Sequence, residues 1–255
     1  MHPLHFSIPR LSLPALVLLA GAMLGDLQAH ALFAGAAYTG WVLCGPRKTA
    51  PRLWWWLSLL ASLVLIAQLL PGFTPRVLWP ALQLSSDAPP YRLRLAWESL
   101  LVASTLLAIW DNDSRRTRRW PVLVACALST LLSVPLLALA LDVVDWQPKW
   151  PAFLPLWLVL NLCVTSLSEE LIFRGWLQSA LIRRLGAATG ITLAALVFGA
   201  AHLPFSGGFA VVAALAGLGY GLLFHLSARL WMAVLLHGTV NLLHLLLLSY
   251  PLKLG

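Results

Sequence analysis

The chain is 255 residues long, 60% hydrophobic and only 10% charged, against about 25% charged residues in an ordinary soluble domain. With its strongly positive mean hydropathy, this excludes a water-soluble globular protein with an exposed domain of useful size and makes the chain an integral membrane protein. The net charge of +8 does not point to nucleic acid, because the Arg and Lys residues stand in short connectors between apolar runs, where they act as topology signals and headgroup contacts.

A spanning helix needs about 20 apolar residues, with about 17–25 tolerated. In chain order the candidate spans are 11–25, 27–43, 53–70, 93–110, 121–141, 152–170, 190–202, 209–226 and 230–248. The first and seventh are short, so the expected fold is an all-α polytopic transmembrane bundle of about eight or nine helices. Arg10, the apolar run Leu11–Leu24 and Ala29-His30-Ala31 imitate a secretory signal with its cleavage site. A first transmembrane helix is the preferred reading, since a multispanning chain inserts without a cleaved leader. Connectors are marked by Gly45-Pro46, Pro71-Gly72, Pro89-Pro90, Pro148 and Gly207-Gly208. The longest, 71–92, holds Asp87 and reads as a plain surface loop, with a cap over the bundle as the alternative. There is no internal repeat. Cys44, Cys126 and Cys163 lack metal-binding or redox spacing and are expected as small buried hydrophobes.

Orientation follows from the cations. With the N-terminus cytoplasmic and nine crossings, the inside receives Arg10, Arg47, Lys48, Arg52, Arg115, Arg116, Arg118, Arg119, Arg183, Arg184 and Arg229. The outside receives Arg76, Arg92, Arg94, Lys149 and Lys253. That excess favours a multi-pass plasma-membrane protein with its N-terminus inside.

Ionisable residues within a span cost about 2.5–3.5 kcal/mol even on mild insertion scales, so those in the C-terminal part need a reason. In "SEELIFRG", Glu170 and Arg174 are i,i+4 with the acid first, the favourable order for an ion pair. Glu169 points about 100° away, on the face of Thr165 and Phe173, and is left unpaired as a candidate base. His202 ends the run "FGAAH"; alone it reads as an interfacial histidine. However, Glu169 and His202 each lie about 16 residues from a turn near Gly186, so an antiparallel hairpin brings them level. His237 and Asn241 share one face of the last apolar helix. His225 and His244 read as interfacial or packing residues. One tension remains: His237 lies only about seven residues, or roughly 11 Å, past Arg229, whereas Glu169 reaches about 24 Å along its hairpin. Their meeting therefore requires a tilted or broken helix between 171 and 189, and Leu171–Leu185 could lie obliquely at the interface.

Together, Glu169-Glu170…Arg174, Phe198…His202 and His237…Asn241 resemble the pattern EExxxR, FxxxH, HxxxN/D of the CPBP family, the CAAX-protease and bacteriocin-processing intramembrane endopeptidases. The resemblance covers roughly 150–248. It divides the chain into N-terminal helices of unassigned role (1–150) and a catalytic helical core (151–250). It implies hydrolysis of a peptide bond in a membrane-tethered protein or peptide, with Glu169 as general base aided by His202. His237 and Asn241 would be oxyanion donors and Glu170–Arg174 the supporting pair. No cofactor is expected. A zinc-dependent variant using Glu169, His202 and His237 stays open, although the chain lacks HExxH and Asn is a poor zinc ligand. The rival classes are a non-catalytic scaffold or immunity protein and a proton-coupled transporter; the latter would predict an inverted repeat, which the sequence lacks.

Overall fold

The computed structural model describes residues 8–45, 51–110 and 120–253. Among these it contains nine helices: α1 Ile8–Met23, α2 Ala29–Leu43, α3 Pro51–Ile66, α4 Trp97–Ile109, α5 Trp120–Ala140, α6 Leu154–Leu185, α7 Ala187–Ala200, α8 Gly207–Ser227 and α9 Leu230–Leu247. A two-stranded antiparallel ribbon, β1 Arg76–Val77 and β2 Arg94–Leu95, precedes α4. The protein is thus an all-α membrane bundle. By length and composition α5, α6, α8 and α9 can each cross a bilayer; Ser12–Met23, α3, α4 and α7 are shorter apolar helices. Many of the cations used to orient the chain, among them Arg47, Lys48 and Arg115–Arg119, lie outside the described residues.

Local chemistry explains the boundaries. Pro51 opens α3, where a missing backbone N–H costs nothing. The Ser206 hydroxyl caps α8 by accepting from the Phe209 amide at 3.0 Å. Gly186, at φ 82°, makes the reversal between α6 and α7, a conformation that a side chain would strain. Pro14 and Pro135 stand inside α1 and α5, as membrane helices tolerate. The outward face of α5 carries Leu128, Leu132 and Leu136, all more than half exposed. A row of this kind suits lipid and would be a liability in water.

The N-terminal helices share the apolar core of the C-terminal ones. α4 is buried almost all round, from Leu101 to Leu106. It packs on α1, α2 and α3 on one side and on the Asn161–Glu170 part of α6 on the other. Buried hydroxyls tie these helices together: Tyr38 to Ser62 at 2.9 Å, Trp41 Nε1 to Ser58 at 3.1 Å and Thr39 to Thr105 at 3.4 Å.

Three expectations need correction. The span expected over 152–170 does not stop there. α6 runs on to Leu185, and Leu171–Gln178 is buried on nearly every side rather than lying at the interface. No break occurs; Asn161–Ser166 and Leu171–Gln178 are instead wound as π-helix. A wider helix advances less per residue, which shortens the climb from the Gly186 turn to Glu169 and eases the mismatch with His237. Second, 71–92 is more than a plain loop: beyond the ribbon, Leu82 bridges Tyr91 and Leu27 bridges Phe73. Third, Cys44 and Cys163 are exposed and Cys126 only half-buried; thiols of small apolar character are tolerated where lipid replaces protein packing.

Beyond α9 the chain forms a strap. The Ser249 amide donates to the Asp145 carbonyl at 2.9 Å, the Tyr250 amide donates to the Ser85 hydroxyl at 2.9 Å, and the Ser249 hydroxyl donates to Asp87. The strap, the 78–95 ribbon and the 142–153 connector therefore form one lid at the end of the bundle where α5, α7 and α9 finish.

Candidate active site

Glu169 and Glu170 occupy the four-residue α stretch Leu167–Glu170 between the two π segments. Such widened turns re-aim side chains and recur at functional sites. The regular 100° spacing suggested two unrelated faces, but both glutamates turn to the same histidine. Glu170 Oε1 accepts from His237 Nδ1 at 2.8 Å, and Glu169 Oε2 stands 4.0 Å from His237 Nε2.

Glu170 is fully buried and also lies 3.1 Å from Arg174 Nη1, the i,i+4 pair anticipated from sequence. That contact is an ion pair without hydrogen-bond alignment; the firmer bond of Arg174 runs from Nη2 to the Gly217 carbonyl at 3.1 Å. The guanidinium carbon sits 4.4 Å from the Phe198 ring centre and 5.2 Å from that of Tyr220. A buried cation is thus held by one carboxylate, one carbonyl and two aromatic faces, which offsets its desolvation. Glu170 therefore has two partners rather than the single one expected.

With Nδ1 committed to Glu170, His237 presents Nε2 to the cleft. Its ring stacks on Tyr220 with centroids 4.7 Å apart and 15° between planes, and Phe198 meets it edge-on at 5.9 Å. His202 is fixed in the same way: Nδ1 donates to the Phe198 carbonyl at 2.8 Å, leaving Nε2 free. Phe198 touches Phe173, Tyr220 and both histidines, so the Phe of FxxxH is the hub that spaces them.

Glu169, His202, His237 and Asn241 all line one cleft of about 290 Å³ under the lid, with Thr165 and Asn161 beside them. Glu170 and Arg174 lie behind it. Glu169 keeps one-fifth of its side chain exposed, while its Oε2 is buried without a hydrogen-bond partner. A smaller chamber of about 70 Å³ adjoins past His237 and Asn241, walled by apolar side chains of α5 and α8. Leu203 and Phe205 form an exposed apolar rim beside His202.

His244 differs from its reading as a packing residue. It lies on the His237–Asn241 stripe, lines the cleft, and donates from Nε2 to the Ser249 carbonyl, 2.9 Å away, tying α9 to the strap. Its i+7 spacing from His237 was the available signal. Tyr220 carried none, because a lone aromatic in a glycine-rich helix looks like packing. His225 is exposed and far from the cleft. No group of three His, Cys, Asp or Glu among the described residues is arranged to hold a metal ion.

Residues 151–243 match the family model described as Type II CAAX prenyl endopeptidase Rce1-like. No curated protein and no solved structure matches the chain. The matched segment runs from just before α6 into α9, ending just beyond Asn241, and contains all seven motif residues.

Proposed function

We propose, from the membership of residues 151–243 in the CAAX-type intramembrane endopeptidase family, that the protein hydrolyses a peptide bond near the C-terminus of a membrane-anchored protein or peptide, using glutamate-activated water. The observation that carries this reading is the meeting of Glu169, His202, His237 and Asn241, from three helices, in one cleft.

In the proposed reaction, Glu169 and the free Nε2 of His202 hold the attacking water. Glu169 takes its proton as the oxygen adds to the scissile carbonyl, and returns it to the leaving amine as the bond breaks. The Asn241 amide donates to the oxyanion; His237 joins it from Nε2 when both ring nitrogens carry protons. A donor of this kind is worth about 100–1,000-fold in rate. Glu170 and Arg174 act at one remove by fixing the His237 ring. The apolar rim and chamber favour a lipidated or strongly apolar substrate arriving from the bilayer.

The cation distribution of the sequence supports an N-in plasma-membrane topology. With nine successive crossings, the lid and cleft then lie at the non-cytoplasmic end. The test is direct. Detergent-purified protein is incubated with a lipidated peptide bearing an apolar C-terminal tail, and products are read by mass spectrometry. Wild type should release a discrete C-terminal fragment and Glu169→Gln should release none. Intact peptide with both proteins, with and without the lipid, would remove the peptidase reading.

A further inference from the structure

The lid contributes a cation to the cleft. Arg94 lines it from the ribbon together with Tyr91, and Glu169 lines it from α6. Its backbone is fixed by pairing with Val77 across the ribbon, and the next helix is pinned because Trp97 Nε1 donates to Asp26 at 3.1 Å. Arg94 is the one Lys or Arg among the described lining residues of the cleft.

Four other carboxylates at this end of the bundle are engaged, while Glu98, in the first turn of α4, is buried with Oε2 unpartnered. Asp26 binds Arg76 at 3.0 Å, Asp87 accepts from Ser249, and Asp142 and Asp145 lie 2.7 and 3.2 Å from Lys253 Nζ. Arg94 has no carboxylate within ion-pairing distance among the described residues. The cleft is consequently polarised between Glu169, whose Oε2 accepts no hydrogen bond, and the guanidinium of Arg94. An anionic group on a bound ligand is repelled from the first and drawn to the second.

We infer that Arg94 is a specificity-determining residue that receives the free α-carboxylate of the substrate chain, so that the C-terminal end points to the lid and the scissile bond to Glu169. The guanidinium fork matches a carboxylate in two parallel hydrogen bonds, which gives direction as well as affinity. This rests on the peptidase reading for the direction of the chain, but the ion pair itself is measurable without turnover.

The probe is a fluorescent apolar hexapeptide in two forms, one ending in a free carboxylate and one in an amide. Both are titrated by anisotropy against full-length Glu169→Gln protein in detergent, with Arg94 intact, as Gln or as Lys. With Arg94 intact the acid should bind about tenfold tighter than the amide, about 1.4 kcal/mol. Arg94→Gln should weaken the acid to the level of the amide and leave the amide unchanged; Arg94→Lys should restore part of the preference. The preference should also shrink toward 1 M salt, where the Debye length falls to about 3 Å. Equal affinities with Arg94 intact, a preference that survives Arg94→Gln, or no binding of either peptide would each overturn the assignment. Parallel digestion by the wild type separates the two ideas. A bound, discriminated but uncut peptide sinks the peptidase and leaves the anchor, whereas cleavage with no binding preference does the reverse.

Discussion

His237 Nδ1 donates to Glu170 Oε1 at 2.8 Å across 67 positions of sequence. The same oxygen lies 3.1 Å from Arg174, so one buried carboxylate fixes both a cation and the orientation of an imidazole. Only Nε2 of His237 is left for chemistry, and it faces Glu169.

The two glutamates should therefore fail differently when altered. Glu169→Gln keeps the packing and removes the proposed base, so turnover should be abolished while yield and melting temperature stay near wild type. Glu170→Gln leaves Arg174 buried without its carboxylate, a loss of about 3–5 kcal/mol, and frees the His237 ring. Activity and folded yield should both fall. Thermal melts beside a peptide-cleavage assay make the comparison, and identical melting temperatures for the two variants would contradict it.

Tyr220 supports His237 by stacking. Tyr220→Leu should remove about 0.5–1.5 kcal/mol of ring–ring interaction and lower kcat several-fold to about tenfold, because His237 gains freedom. Tyr220→Phe keeps the ring and should stay close to wild type. Steady-state kinetics of both variants test this, and equal losses would assign the effect to the hydroxyl.

Gly199 controls how closely α7 approaches α8. A Cβ there would meet the Ala210 carbonyl oxygen at 2.7 Å and Ala214 Cβ at 2.7 Å. Both are fixed parts of the neighbouring helix, so Gly199→Ala should cost about 1–3 kcal/mol as overpacking. It should also shift His202, three residues on, and reduce activity. Gly40→Ala, where nothing lies within 4 Å, is the matched control and should do neither.

Metal dependence has an equally plain expectation. If Glu169 is the base and Asn241 an oxyanion donor, activity should survive a strong chelator and elemental analysis should find far less than one zinc per chain. Chelation that silences the enzyme, followed by rescue with zinc, would turn Glu169, His202 and His237 into ligands and end the glutamate mechanism.

Topology can be read with an impermeant maleimide on intact cells expressing cysteine-free protein. Ala81→Cys, on the exposed lid, should label at once, and Arg184→Cys, exposed at the opposite end, only after lysis. The reverse pattern would invert the proposed orientation.

Hydrophobic runs made the helices legible, because lipid leaves the backbone little alternative to helix. The hairpin count from Glu169 through Gly186 to His202 brought the two close to one level, and both line the same cleft. What escaped was everything set by departures from the regular helix or by remote segments. The π winding around Glu169 and Glu170 has no composition signature, so their convergence on His237 was hidden. The end of the sixth span was misplaced at 170 because Arg174 and Gln178 looked like an interface, when their partners are the carbonyls of Gly217 and Gly221 in α8. The order in 71–95 comes from pairing of β1 with β2, from the bridge of Phe73 to Leu27 and from the C-terminal strap.

The lid has a consequence for how the matched segment relates to the rest of the chain. The segment matched by the family model ends at residue 243, yet Tyr91, Leu93 and Arg94 from one side and Tyr250, Pro251 and Leu252 from the other complete the cleft. The proposed reacting groups and part of the cleft wall are thus encoded in separate stretches of chain. Selection can rewrite the second while leaving the first untouched. Two proteins with the same seven motif residues are free to diverge in what they cut, and exchanging residues 78–95 together with the strap between relatives is the transplant expected to carry preference with it.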